Sequence, residues 1–236
     1  MNLLNSGILT SCSVGINLYY ISKKDYKVVQ TINKNGHEFY YTMELNNKKL
    51  VSLSRSQKSY YISVYFKKNN KYSEDYNFCI GNHYSQMIQI KEKEICYLKY
   101  NKENRSTVYF FDLLERKPKQ QIDLGKTSAL FFLKVTKDIL LISGYNSFFL
   151  INIDQYKLIR QIETTEYLIC SCILSRNMIL TGGNRAIIQW KIEGNEITLF
   201  SSKQIAHNGN GDIITLLKLG EGHILSCYSG GEFKIW

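Results

Sequence analysis

Apolar residues along this chain fall in short runs of five to eight, cut at near-regular intervals by Gly, Asn, Ser and Lys clusters, and many runs alternate with polar residues at period two. The clearest specimen is Met178–Trp190, MILTGGNRAIIQW, in which an apolar run ends in Thr-Gly-Gly-Asn and a second run ends on an aromatic ring. That pattern predicts a β-hairpin, with glycine placed where the backbone needs positive φ. It recurs at His223–Trp236, HILSCYSGGEFKIW, with the second tryptophan placed like the first. In order, the chain offers ILTSC, INLYYIS and YKVVQTIN; then FYYTMEL, KLVSLS and YYISVYF, a polar excursion from Lys67 to Glu74, and DYNFCI. The third group is SQMIQI, EICYLKY, TVYFFDL and KQQIDL, with Pro118 just before the last, where an edge strand tolerates the missing donor. Similar sets follow from Ala129 and from Leu168, and the last holds DIITLLKL, HILSC and EFKIW.

Spacing turns these runs into a repeat. Taking Ile21, Tyr65, Phe111, Ile151, Trp190 and Trp236 as the residues closing each third strand, the steps are 44, 46, 40, 39 and 46 residues. Thr10, Ser52, Ser143, Thr181 and Ser226 supply a small polar residue in the second strand, with Tyr97 as the exception. Four strands every ~40–45 residues is the signature of propeller blades. The predicted fold is all-β, about six four-stranded units over 1–34, 35–81, 82–125, 126–163, 164–207 and 208–236, forming one domain. The first unit begins inside its first strand and the last ends after its third, so incomplete terminal blades and an unsealed seam between them are expected.

The run Ser226 to Trp236, and TGGNRAIIQW in the unit before it, resembles the WD-repeat pattern of a small polar residue, a turn, alternating apolar positions and tryptophan. In that family a histidine opening the first strand, a turn aspartate, a serine or threonine and the tryptophan form a buried hydrogen-bond network. His37, His83 and His207 match the histidine, and Gly36-His37 keeps the Gly-His pair; Gly230 replaces the aspartate in the last unit, and Asn184 is its nearest counterpart in the fifth. The resemblance implies structural roles for His37, His207, Trp190 and Trp236. It also implies a binding surface of second-to-third strand turns and fourth-to-first strand loops, carrying Arg55, Lys58, Lys102, Arg105, Tyr145, Asn184, Arg185 and Tyr228.

Composition agrees with a packed domain: 236 residues, 44% hydrophobic, 21% charged, with 18 tyrosines and one proline. The net charge of +10 favours acidic partners, nucleic acid or anionic lipid. Its lysines are spread along the chain, and Lys23-Lys24, Lys48-Lys49 and Lys67-Lys68 fall at or near strand ends and turns, as on a solvated surface. Cys12, Cys79, Cys96, Cys170, Cys172 and Cys227 sit in strand-like runs without zinc-ligand spacing, so buried, reduced thiols are expected. With no leader pattern and no apolar run of ~18 residues, an intracellular, cytoplasmic protein without a transmembrane segment is expected.

Signals for catalysis are weak. The four histidines, His223 included, fall in different units; Asp75, Asp112, Asp138 and Asp154 show no acid/base pairing; and GGN at 182–184 and NGNG at 208–211 lack the lysine and helix of a phosphate loop. Tyrosines such as Tyr60-Tyr61 and Tyr97 fit packing better than base stacking. The expectation is a non-catalytic protein–protein interaction scaffold with no cofactor and no metal. The alternative is a basic RNA- or phospholipid-binding propeller.

Overall fold

The computed structural model describes residues 2–4, 7–12, 15–21, 26–69, 71–81, 86–101, 103, 105–127, 129–183, 186–204, 211–220 and 222–236. Side chains are described for residues 15–17, 28 and from 30 onward within those stretches, apart from 129–130 and 203–204. The fold is all-β and of β-propeller type, with five four-stranded antiparallel blades and a sixth sheet of three strands. Each sheet is a meander in which strands adjacent in sequence pair, as short turns dictate. The chain divides into two compact units, Met1–Tyr84 and Ser85–Trp236.

The first unit holds two blades. One comprises β1 (Asn2–Leu4), β2 (Gly7–Cys12), β3 (Gly15–Ile21) and β4 (Tyr26–Ile32); the other comprises β5 (His37–Glu44), β6 (Leu50–Ser56), β7 (Ser59–Lys68) and β8 (Lys71–Gly81). Ile16, Phe39, Leu50, Tyr65 and Tyr72, with Ile32 beside them, bury an apolar cluster between the two sheets. The outer strands are tied through Gln30, whose amide accepts from the Tyr72 N–H at 2.7 Å and donates to the Tyr72 carbonyl at 2.8 Å. The Lys34–Glu74 ion pair at 2.9 Å adds to that seam.

The second unit holds four sheets. These are β9 (Met87–Lys91), β10 (Glu94–Tyr100), β11 (Arg105–Asp112) and β12 (Lys117–Lys126); β13 (Ala129–Lys134), β14 (Ile139–Gly144), β15 (Ser147–Asn152) and β16 (Lys157–Glu163); β17 (Cys170–Ser175), β18 (Met178–Gly183), β19 (Ala186–Glu193) and β20 (Glu196–Gln204); and β21 (Ile213–Gly220), β22 (His223–Tyr228) and β23 (Phe233–Ile235). Consecutive sheets share a core. Leu140, Ile142, Phe149 and Ile151 of the fourth sheet pack on Leu98, Val108 and Phe110 of the third. From the opposite face, Leu141, Phe148 and Leu150 pack on Ile179, Ile188 and Trp190 of the fifth. Being covered on both faces explains why β14 and β15 read as continuous apolar runs.

Several expectations need correcting. The first sheet is a complete four-stranded blade, because the short β1 pairs with β2 through Asn2↔Leu9 and Leu4↔Gly7; only the sixth sheet has three strands among the described residues. The polar stretch from Lys67 to Glu74 is a hairpin, with β7 running to Lys68 and β8 starting at Lys71, since Tyr72 turns its ring into the core. Pro118 lies inside β12, on the outer strand, opposite Phe111 at a register shift.

Two residues of the repeat alignment also move. Trp190 pairs with Ile179 and Tyr65 with Leu50, so the small polar residue belongs two positions past the partner, at Thr181 and Ser52. Ile151 pairs with Leu140, which puts Ile142 there; Ser143 lies one residue on and faces the other way. In the first blade the equivalent register belongs to Tyr19, opposite Ile8, and not to Ile21. Finally, Gly182 and Gly183 lie in β18, not at a positive-φ turn, and space is what requires them. A Cβ on Gly182 would stand 2.7 Å from Ile213 Cγ2, and one on Gly183 would overlap the Tyr167 carbonyl oxygen.

Candidate interaction surface

A meander places the second-to-third turn and the fourth-to-first connection at one end of each blade. In the second blade this end is built from β5, β6 and β7, where Glu38, Arg55 and Tyr60 lie in one cross-strand row. The Arg55 guanidinium carbon is 5.8 Å from the centre of the Tyr60 ring, and Tyr40 tilts against Tyr60 at 5.7 Å. Tyr40, 48% exposed, donates its hydroxyl to Glu38 Oε2 at 2.8 Å. That bond to a carboxylate raises the phenol above its ordinary pKa, with Arg55 opposing. Lys58 occupies the adjoining turn and is exposed.

His37 begins β5, as a strand-opening histidine should. Its Nδ1 shares a 3.0 Å hydrogen bond with Ser54 Oγ, and its ring meets Tyr61 edge-on at 5.3 Å. Burial, and then the charge of Lys34, lower its pKa. The neighbouring hydroxyl, Ser52, instead pairs with the Tyr65 hydroxyl at 3.4 Å. Histidine and third-strand aromatic thus use different serines in this blade.

In the second unit the comparable end carries a pair of stacked rings. Tyr145, in the β14–β15 turn, and Tyr167, in the connection from β16 to β17, lie 4.7 Å apart and 11° from parallel. They remain 38% and 40% exposed. Backbone bonds hold them: Leu168 N–H donates to the Tyr145 carbonyl at 2.9 Å, and Ile169 N–H to the Gly182 carbonyl at 2.8 Å. The absent side chain of Gly183 lets the Tyr167 backbone lie against β18. Desolvation, the Tyr145 contact and the charge of Asp212 raise the Tyr167 phenol pKa. Asp212 itself is locked to Ser229 by reciprocal bonds, Asp212 N to Ser229 Oγ at 3.1 Å and Ser229 N to the Asp212 carbonyl at 3.0 Å.

Comparison with protein-family models and with curated proteins finds no match.

The other sequence-derived candidates have mixed positions. Arg105 is ion-paired with Asp123 across β11 and β12, and the guanidinium holds that carboxyl below the usual range. Tyr228 is buried, 4% exposed, in the core between the fifth and sixth sheets, so its ring packs rather than faces solvent. Lys102, Asn184, Arg185, His83 and His207 lie outside the described residues. The sequence does not mark Tyr40 or Tyr167: Tyr40 sits inside the Phe39-Tyr40-Tyr41 strand run and Tyr167 has no aromatic neighbour, and only the sheet geometry sets Tyr40 against Tyr60 and Tyr167 against Tyr145. The buried carboxylate Glu94 is accounted for by an ion pair with Lys119 and a 2.8 Å bond from the Tyr156 hydroxyl. Of the described cysteines, Cys96, Cys170 and Cys172 are buried, whereas Cys79 on the outer strand β8 is exposed, against expectation; all five described are free thiols. No helix among the described residues is long and apolar enough to cross a membrane.

Proposed function

We propose that the chain is a non-catalytic protein–protein interaction scaffold of the WD-repeat-like kind, recognising its partner through the turn ends that carry paired tyrosines. The observation that carries this reading is the stacked, half-exposed pair Tyr145 and Tyr167, fixed by backbone hydrogen bonds on both sides. Rigid aromatic rings lose little side-chain entropy on contact and recur as interface hot spots. The Arg55–Tyr60–Tyr40 cluster offers the same chemistry in the other unit, with an arginine suited to an acidic partner. The WD-like part of the reading draws support from two indole-to-hydroxyl bonds, Trp190 Nε1 to Thr181 Oγ1 at 2.7 Å and Trp236 Nε1 to Ser226 Oγ at 2.9 Å. Free thiols at the described cysteines support an intracellular, reducing setting.

The test is affinity capture from cell extract with nuclease present, comparing the wild-type chain with a Tyr145→Ala/Tyr167→Ala variant of unchanged unfolding midpoint. A protein captured by the wild type should be lost at least ~10-fold by the variant. Retention by the variant would remove the turn end from the reading, and ligands that vanish on nuclease treatment would transfer it to RNA binding.

A further inference from the structure

Two dilysines that look unrelated in sequence meet at the opposite end of the second blade. The β5–β6 turn carries Lys48 and Lys49, and the β7–β8 hairpin carries Lys67 and Lys68, with Lys71 starting the return strand. Antiparallel pairing brings both turns to one end of the sheet, away from Arg55 and Tyr60. Between them lies a pocket of about 500 Å³ lined by Asn47, Lys48, Lys49, Phe66, Lys67 and Asn69. Five lysines from two separate stretches of the sequence are therefore brought to one end of this sheet.

The turns are shaped by their own bonds. Lys48 N–H donates to the Leu45 carbonyl at 2.9 Å and Leu45 N–H to the Lys49 carbonyl at 2.8 Å, while Lys48 (φ 61) and Asn69 (φ 49) take the left-handed conformation. The Asn47 side-chain oxygen accepts from Lys49 N–H at 3.2 Å. Lys67 Nζ lies 5.5 Å from the centre of the Tyr72 ring, which steadies it without neutralising it. One carboxylate, Asp75, approaches a lining ammonium, 3.5 Å from Lys49. No carboxylate lines the pocket, and the Lys48 ammonium has no bonded partner among the described residues.

Three ammonium groups, two side-chain amides and the half-buried Phe66 ring form a concavity within the size range of small-molecule sites. Ammonium groups act as movable point charges and match an anion whose oxygens carry more than one negative charge. Chloride is too small to engage all three, and one carboxylate would satisfy only part of the set. We infer that this pocket binds a phosphate ester, with the lysines on the phosphate oxygens and Phe66 against the organic remainder. Free phosphorylated metabolites and lipid headgroups present the same group.

The experiment titrates the full chain with inorganic pyrophosphate by calorimetry at low and at physiological ionic strength. In parallel, it is sedimented with phosphatidylcholine vesicles carrying phosphatidic acid. Wild type should bind pyrophosphate, and Lys48→Gln/Lys67→Gln should weaken that binding by at least ~10-fold, as expected for losing two charge-assisted contacts. Lys93→Gln, at an exposed lysine of the β9–β10 turn, should leave it unchanged. Vesicle binding that the double variant abolishes assigns the phosphate to a lipid headgroup; pyrophosphate binding without vesicle binding assigns it to a soluble ester. Failure of wild type to bind pyrophosphate, or equal weakening by Lys93→Gln, overturns the inference. Both variants are surface changes, and an unchanged unfolding midpoint confirms that each is folded.

Discussion

The fifth and sixth sheets end their hairpins on the same device and surround it differently. In the fifth, Trp190 donates its indole N–H to Thr181 at 2.7 Å, meets Phe148 edge-on at 5.0 Å and is 4% exposed. In the sixth, Trp236 donates to Ser226 at 2.9 Å but is only half-buried, with Lys234 Nζ 5.6 Å from its ring centre. The fifth sheet is covered on both faces, by Phe148 and Leu150 on one side and by Ile213, Leu216 and Ile224 on the other. Among the described residues the sixth is covered on one; Leu217, Leu219, Phe233 and Ile235 of its other face are each more than half exposed. The hydroxyl–indole bond sets hairpin geometry in both, and the adjacent sheet decides how much that hairpin contributes to stability.

The largest expected effect follows directly. Trp190→Ala removes a fully enclosed ring and should cost about 3–5 kcal/mol, read from urea unfolding, whereas Trp236→Ala should cost about 1–2 kcal/mol because that ring is partly exposed and packs on one side only. Equal losses would break the comparison. Thr181→Val keeps the shape and strands a buried indole donor, so it should cost about 1–3 kcal/mol, and Ser226→Ala less, because water reaches its partner.

Thiol chemistry sharpens the contrast at an intermediate level. Cys170 and Cys172 lie under the sixth sheet, and burial pushes their thiols up to about 12 and about 11. Cys96 lies between the third and fourth sheets, and burial raises its thiol as well. All three are protonated at about pH 8 and react only when local opening exposes them. Exposed Cys79 should therefore react first among the described cysteines, and Cys170 and Cys172 should follow well before Cys96, because detaching one three-stranded sheet uncovers them. Labelling resolved by mass spectrometry checks the order, and simultaneous reaction of the three buried thiols would mean that the sixth sheet opens only with the whole unit.

How much of this was legible in the sequence depended on whether a strand shows one apolar face or two. Where one face is polar, as in AIIQWKI, alternation fixes both strand and register, and Trp190 was placed correctly. In ILLIS and SFFLIN both faces are buried and alternation vanishes, so the pattern points to Ser143 where the register holds Ile142. The outer strand β8 erred the other way, since its solvated face made Lys71 to Glu74 read as loop although Tyr72 points inward. The sites were less accessible still. Tyr145 meets Tyr167 across a turn and a connection, and Lys48 meets Lys67 across two hairpins, so neither encounter leaves a local pattern. The glycines of TGG stand out in the sequence as a positive-φ turn, whereas the constraint in the fold is the approach of Ile213 and of the Tyr167 backbone.

The smallest stability effect belongs to the uncovered face of the sixth sheet, and it tests the comparison from the other side. Phe233, 69% exposed, and Ile235, 60% exposed, add little burial, so Phe233→Ser and Ile235→Thr should change unfolding free energy by no more than about 0.5 kcal/mol. Leu225 pairs with Ile235, and Cys227 with Phe233, so both changes fall on one continuous cross-strand patch. Removing apolar area from such a patch should lower self-association measured by sedimentation at rising concentration, without moving the urea midpoint. A loss of stability as large as that from Trp190→Ala would show that this face is packed in solution, and the distinction between a sheet covered twice and a sheet covered once would fall with it.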